Sequence, residues 1–87
     1  QEWGIVNKIT TAEDLMPAAL VTAARMAGNG PLALRQAKRS VNLGIGTDLT
    51  TALGIEVEAY NRLVPTEDRR EGVLAFNEKR KANFVGR

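Results

Sequence analysis

Eighty-seven residues, with twelve Lys and Arg against ten Asp and Glu and neither cysteine nor histidine, set tight bounds on this chain. A chain of that length makes at most one domain and buries only about 60% of the surface its unfolded form exposes, so its core is small. The missing Cys and His exclude disulfides, thiolate and imidazole metal sites and Ser-His-Asp or Cys-His catalysis, while a net charge of +2 is too small to mark a nucleic-acid protein.

The segment "GIVNKIT" reads as a short β-branched strand with Ile5, Val6 and Ile9 as its apolar residues; with no partner in the rest of the sequence, it either lies as an extended arm on the helices or pairs with a sheet missing from this chain. "TTAEDLMPAALVTAARMAGNG" opens with Thr10 three before Glu13 and Thr11 three before Asp14, both capping-box spacings, and stops at Gly28-Asn29-Gly30. It predicts a helix whose face is Met16, Leu20, Ala23 and Ala27, with Pro17 kinking the start. Pro31 suits the first turn of a second helix, "PLALRQAKRSVNLG", which Gly44 and Gly46 end. Its apolar stripe is Leu34, Ala37 and Val41, and Arg35, Lys38, Arg39 and Asn42 make its opposite face.

Thr47 or Asp48 caps a third helix, "DLTTALGIEVEAYNRLV", which Pro65 ends because the residue before a proline is pushed out of the α region. Leu49, Leu53, Tyr60 and Leu63 line one side of it with Glu56 among them, and Ala52, Ile55 and Ala59 widen the stripe beyond the needs of one neighbouring helix. Thr66 caps a fourth helix with Glu67 and Asp68 in its first turn and Lys79, Arg80 and Lys81 near its end, both favourable to the helix dipole. Gly72 inside it costs about 1 kcal/mol against alanine, so something is expected to pack closely there.

Charge is unevenly spread: residues 1–46 carry five basic and three acidic side chains and 47–87 seven of each, but Lys79, Arg80, Lys81 and Arg87 follow the last acid, Glu78. That basic end reads either as a solvated helix terminus or as a phosphate contact. The face of Arg35, Lys38 and Arg39 reads as solvated. Glu56, on an apolar stripe, reads as an acid or base with a raised pKa or as a buried carboxylate answered by Arg69, Arg70 or Arg80. Tyr60 reads as core or as a stacking surface. Glu56 and Glu58, two apart, face different sides and form no dyad, and "GIG" at 44–46 is not a P-loop. No apolar run is long enough to span a bilayer and no signal-peptide pattern opens the chain, which predicts a soluble protein that is not exported.

The segments "EWGIVNKI", "PLALRQAKRSVNLG", "TDLTTALGIEVEAY" and "TEDRREGVLAFNEKRKANFVGR" resemble, in order and spacing, the closing segments of the enoyl-CoA hydratase/isomerase (crotonase) superfamily, the last through its EG-x-x-AF-x-EKR pattern. The resemblance covers essentially the whole chain and about a third of a family member. It implies an all-α, C-terminal helical trimerisation and lid domain of a crotonase-like fold: about four helices preceded by a short extended segment. Residues 1–10 would be the end of the spiral-domain region and 11–87 the C-terminal α-helical oligomerisation domain, and Gln1 in place of Met is in keeping with a fragment.

The resemblance further implies acyl-CoA as substrate, no prosthetic group, no metal, and a homo-oligomer, either a trimer or a dimer of trimers. It places the protein in the cytoplasm, or in the mitochondrial matrix of a eukaryote, with no nucleic-acid or membrane partner. Two glutamates and two oxyanion-holding backbone N–H groups catalyse hydration in the family. They lie in the spiral region, so no catalytic residue is carried over, and Glu56 and Glu71 are not that pair. Two positions do match family residues at the adenine and 3′-phosphate edge of CoA: Tyr60, where phenylalanine is usual, and Lys79, the first lysine of "EKRK". The implied parent reaction is hydration of a 2-trans-enoyl-CoA to a 3-hydroxyacyl-CoA, with the fragment inactive by itself. A double-bond isomerase, a branched-chain enoyl-CoA hydratase or a decarboxylase of the same superfamily, or a free-standing helical interaction module, are the alternatives.

Overall fold

The computed structural model describes residues 1–87, and its regular elements are four helices: α1 (Ala12–Ala27), α2 (Pro31–Gly44), α3 (Leu49–Asn61) and α4 (Glu67–Asn77). Three begin at a residue whose side chain takes a backbone donor that the first turn leaves free. The Thr11 hydroxyl accepts from the Asp14 N–H, the Asp48 carboxylate from Thr51 and the Thr66 hydroxyl from Arg69. α2 has no side-chain cap, and Pro31 at its start has no N–H to satisfy. α1 runs on through Pro17. α3 stops at Asn61, short of Pro65, and the Leu63 and Thr66 N–H groups close turns onto the Tyr60 and Leu63 carbonyls.

α2 and α3 are the one pair of helices in extensive contact. Gly44, the last residue of α2, lets the two backbones meet: a Cβ there would sit 3.3 Å from Ala52 Cβ. The buried side chains are small, Ala59 on α3 and Ala75 on α4, together with the charged Asp68. Leu15, Met16, Leu20, Val21 and Met26 leave the apolar side of α1 in solvent, and Leu49, Leu53 and Val57 do the same on α3.

Size measures agree with that picture. The radius of gyration is 16.3 Å, against about 12 Å for a compact chain of this length. The accessible surface is 7390 Å², against about 5,000 Å² for a folded monomer of this mass. The helices are splayed, with apolar faces that the chain itself does not cover.

Two expectations about the fold need correction. Residues 1–11 form no strand: a turn closes from the Gly4 N–H to the Gln1 carbonyl and bends follow, since no second strand is present to pair with this segment. The four helices also do not close into the expected C-terminal lid domain: only α2 and α3 are in extensive contact, and the apolar sides of α1 and α3 lie in solvent.

That last segment, residues 81–87, doubles back along α4. Helix α4 ends in a Schellman turn, with Lys79 N–H to Phe76 O at 3.3 Å and Arg80 N–H to Ala75 O at 3.0 Å. The chain then places the Asn83 N–H on Glu71, the Val85 and Gly86 N–H groups on Asp68, and the Arg87 carbonyl on the Asp68 N–H. The Phe84 ring packs over Gly30 and Gly72. The basic residues are exposed but do not lie, as their spacing predicts, in the last turn of the helix: the helix ends at Asn77, and Arg80 and Arg87 are tied back to it through Glu71 and Glu67.

Candidate functional site

Thr66 caps α4 and also donates to the Leu63 carbonyl at 2.6 Å, which fixes the turn between α3 and α4. That turn sets Tyr60 of α3 and Leu63, just past the helix end, opposite Arg69 and Val73 of α4. Leu32 of α2 and Phe84 of the returning segment complete an open groove of about 360 Å³. Tyr60 is 55% exposed, so part of its ring faces the groove and solvent and is free to stack. Arg69 is the one cation among the lining residues, and Asp68 the one anion.

Lys79 does not line this groove. It occupies the position after the helix cap, with φ 53, the one non-glycine residue in the left-handed region. Glycine is favoured there, because a side chain costs roughly 1–2 kcal/mol in that conformation. The Schellman hydrogen bonds on either side hold it in place, and its side chain makes no ion pair.

Next to Lys79, Arg80 forms a fork on Glu71, Nη1 to Oε1 at 2.6 Å and Nη2 to Oε2 at 2.9 Å, and its Nε reaches Glu78. The Asn83 N–H adds a third bond to Glu71 Oε1 at 2.8 Å. The Arg80 hydrogen bonds first, and then the Asn83 N–H, hold the Glu71 carboxyl down at about 2, while Glu71 and Glu78 push the Arg80 guanidinium further up. Glu71 is thus an ionised anchor, unsuited to proton transfer near neutral pH.

Glu56 is exposed on α3 and makes none of the ion pairs, so the buried carboxylate expected there, with an arginine from α4, is corrected. Its neighbour Glu58 is the paired one, bonded to Arg62 at 2.7 Å and to Arg39 at 3.5 Å, and these hold its carboxyl below the usual range. Arg39 thereby ties α2 to α3, which leaves Arg35 and Lys38 as the solvated part of that face. No three metal-ligating side chains gather anywhere, and no helix is long and apolar enough to cross a membrane. Of the two sequence-predicted site residues, Tyr60 lines the groove and Lys79 stands apart from it at the far end of α4. Sequence reasoning missed Phe84, which forms a wall of the groove, and Asp68, which holds the segment bearing Phe84. Nothing in their local pattern distinguishes them from a tail residue and a helix-dipole acid.

Comparison with known proteins covers the whole chain. Residues 1–87 match the sequence family described as enoyl-CoA hydratase/isomerase. YngF of Bacillus subtilis (strain 168), which bears an enoyl-CoA hydratase/isomerase name, is 51% identical over 86 residues, 99% of this chain and 33% of its own length. The crotonyl-CoA hydratase of Syntrophomonas wolfei is 42% identical over 84 residues, 97% of this chain and 32% of that protein. Among solved structures, an enoyl-CoA hydratase from Bacillus anthracis superposes with a TM-score of 0.95 at 40% identity, over 99% of this chain and 33% of that one. The chain therefore spans about a third of the length of the relatives it matches. The C-terminal placement is overturned: as aligned, the segment falls in the N-terminal part of the homologues' family region, and the lid role tied to that placement goes with it.

Proposed function

This chain belongs to the enoyl-CoA hydratase/isomerase family, and from that premise we propose that it is part of an enzyme that reversibly adds water to a 2-trans-enoyl-CoA to give a 3-hydroxyacyl-CoA. The observation that carries the reading is the whole-chain identity with relatives named as hydratases. An isomerase of the same family is the second reading, favoured by the double name that the family and YngF share.

Within that enzyme the chain's contribution is binding, through Tyr60 and Lys79 at the nucleotide end of CoA. Tyr60 offers a half-exposed ring face in a largely apolar groove that Arg69 also lines, chemistry suited to a flat purine. Lys79 is a point charge suited to a phosphate, and it is held in a backbone conformation that costs free energy, a feature that clusters at ligand sites. Because the two do not line one groove, they would hold different parts of one ligand or serve sites shared with another copy. The enzyme would be a homo-oligomer, with the uncovered faces of α1 and α3 meeting the rest of the protein or a further copy.

The test is to replace the matching segment of YngF with this chain and follow the loss of crotonyl-CoA absorbance. The hybrid should hydrate crotonyl-CoA and the 87-residue chain alone should not. A folded hybrid without activity, or activity in the isolated chain, would contradict the proposal.

A further inference from the structure

Asp68 is the one buried charged side chain, 5% exposed, and its surroundings are unusual for a first-turn helix acid. Both carboxylate oxygens are turned to the returning segment: Oδ1 accepts the Val85 N–H at 2.7 Å and Oδ2 the Gly86 N–H at 2.9 Å. Its own N–H donates to the Arg87 carbonyl at 3.1 Å. One residue of α4 thus holds three consecutive residues at the end of the chain, and Glu71 holds Asn83 one turn further on. Between the two anchors lies Phe84, whose ring is placed 3.6 Å from where a Cβ on Gly30 or on Gly72 would be, and which forms a wall of the Tyr60 groove.

From this arrangement we infer that residues 81–87 are a strap whose latch is Asp68, and that Asp68 is a positioning residue: by fixing Phe84 it sets the width of the groove in front of Tyr60. The inference deepens the nucleotide-binding reading given above and rests on it for the identity of the ligand, an adenine-type ring. The latch itself rests on hydrogen bonds independent of any ligand. Asp68 suits the role because it presents two acceptor oxygens, one for each N–H. An amide of the same shape would turn an NH₂ toward one of them and leave that donor without a partner. The strap's anchors are on α4 and its ring packs over Gly30 and Gly72, whereas α2 and α3 make their own extensive contact, so its release would widen the groove without unpacking α2 from α3.

The experiment uses the YngF hybrid carrying this chain, its Asp68→Asn and Phe84→Ala variants, amide hydrogen exchange by mass spectrometry, and adenosine 3′,5′-bisphosphate as probe. Asp68→Asn should speed exchange at Val85 and Gly86 by roughly 10- to 100-fold, leave α2 and α3 amides as protected as before, and weaken probe binding. Phe84→Ala should weaken probe binding with the Val85 and Gly86 amides still protected. Unchanged exchange at Val85 and Gly86 in Asp68→Asn overturns the latch, as does an equal loss of protection through all four helices, which would make Asp68 a general stabiliser. If Phe84→Ala binds the probe as well as the unsubstituted hybrid does, the claim that the strap shapes the groove is overturned. A folded, unsubstituted hybrid that does not bind the probe overturns the nucleotide reading and the positioning role with it, while the exchange rates still decide the latch.

Discussion

Gly72→Ala is a sharp test of the packing around the returning segment. Gly72 lies inside α4, where glycine is about 1 kcal/mol worse than alanine. A Cβ built there would meet Phe84 Cε1 at 3.6 Å and Cζ at 3.8 Å and nothing nearer, which is ordinary contact and no clash. Each such carbon pair adds about 0.1–0.2 kcal/mol. The sum is a stabilisation of about 1 kcal/mol, equivalent to a rise in Tm of roughly 4–8 °C for a chain of this size. Gly72→Val should reverse the sign: its methyl groups extend into the space the ring occupies, and overpacking of that kind costs roughly 1–3 kcal/mol. Thermal unfolding followed by helical circular dichroism reads both. A destabilised Gly72→Ala variant would refute the reasoning, because it would mean that Phe84 lies closer to the helix than these distances allow.

Lys79→Gly should raise stability by about 0.5–1 kcal/mol, relieving the left-handed conformation at the Schellman turn, and should reduce affinity for adenosine 3′,5′-bisphosphate; urea unfolding and titration calorimetry separate the two effects. Thr66→Ala removes the cap of α4 and the bond to Leu63, and urea unfolding should show a loss of about 1 kcal/mol. The Glu71 carboxyl, held at about 2 by Arg80 and Asn83, lies below its ordinary value of 4.5. Its contribution to stability is therefore fully present above that ordinary value and declines as pH falls from there toward 2. Acid titration monitored at the Asn83 amide should show that loss, and Glu71→Gln should remove it from the profile.

The four helices were legible because their signals are local. Thr11, Asp48 and Thr66 cap where their spacing to the first turn says they should, and Pro31 and Gly44 bound α2 through backbone preferences that need no tertiary partner. The close packing expected at Gly72 is present, though the sequence could not name Phe84 as what packs there. What was illegible depends on contacts distant in sequence. Asp68 looks like any acid in a helix's first turn until residues 85 and 86 return to it, and Lys79 gives no sign of a left-handed backbone because glycine is the usual residue there. Glu56 misled in the opposite sense. Its apolar neighbours implied burial, but α3 carries more apolar surface than this chain covers, so a stripe did not mean an interior. "GIVNKIT" has strand-forming residues and still makes no strand, since a ladder needs a second edge.

Crotonyl-CoA kinetics in the YngF hybrid, with and without Tyr60→Ala and Lys79→Ala, test the central claim most directly. A binding role at the nucleotide end predicts that KM rises in both variants while kcat changes little, since neither residue would touch the reacting carbons. An unchanged KM in both variants, or a kcat that collapses with KM intact, would contradict the claim that this chain serves the enzyme by holding CoA.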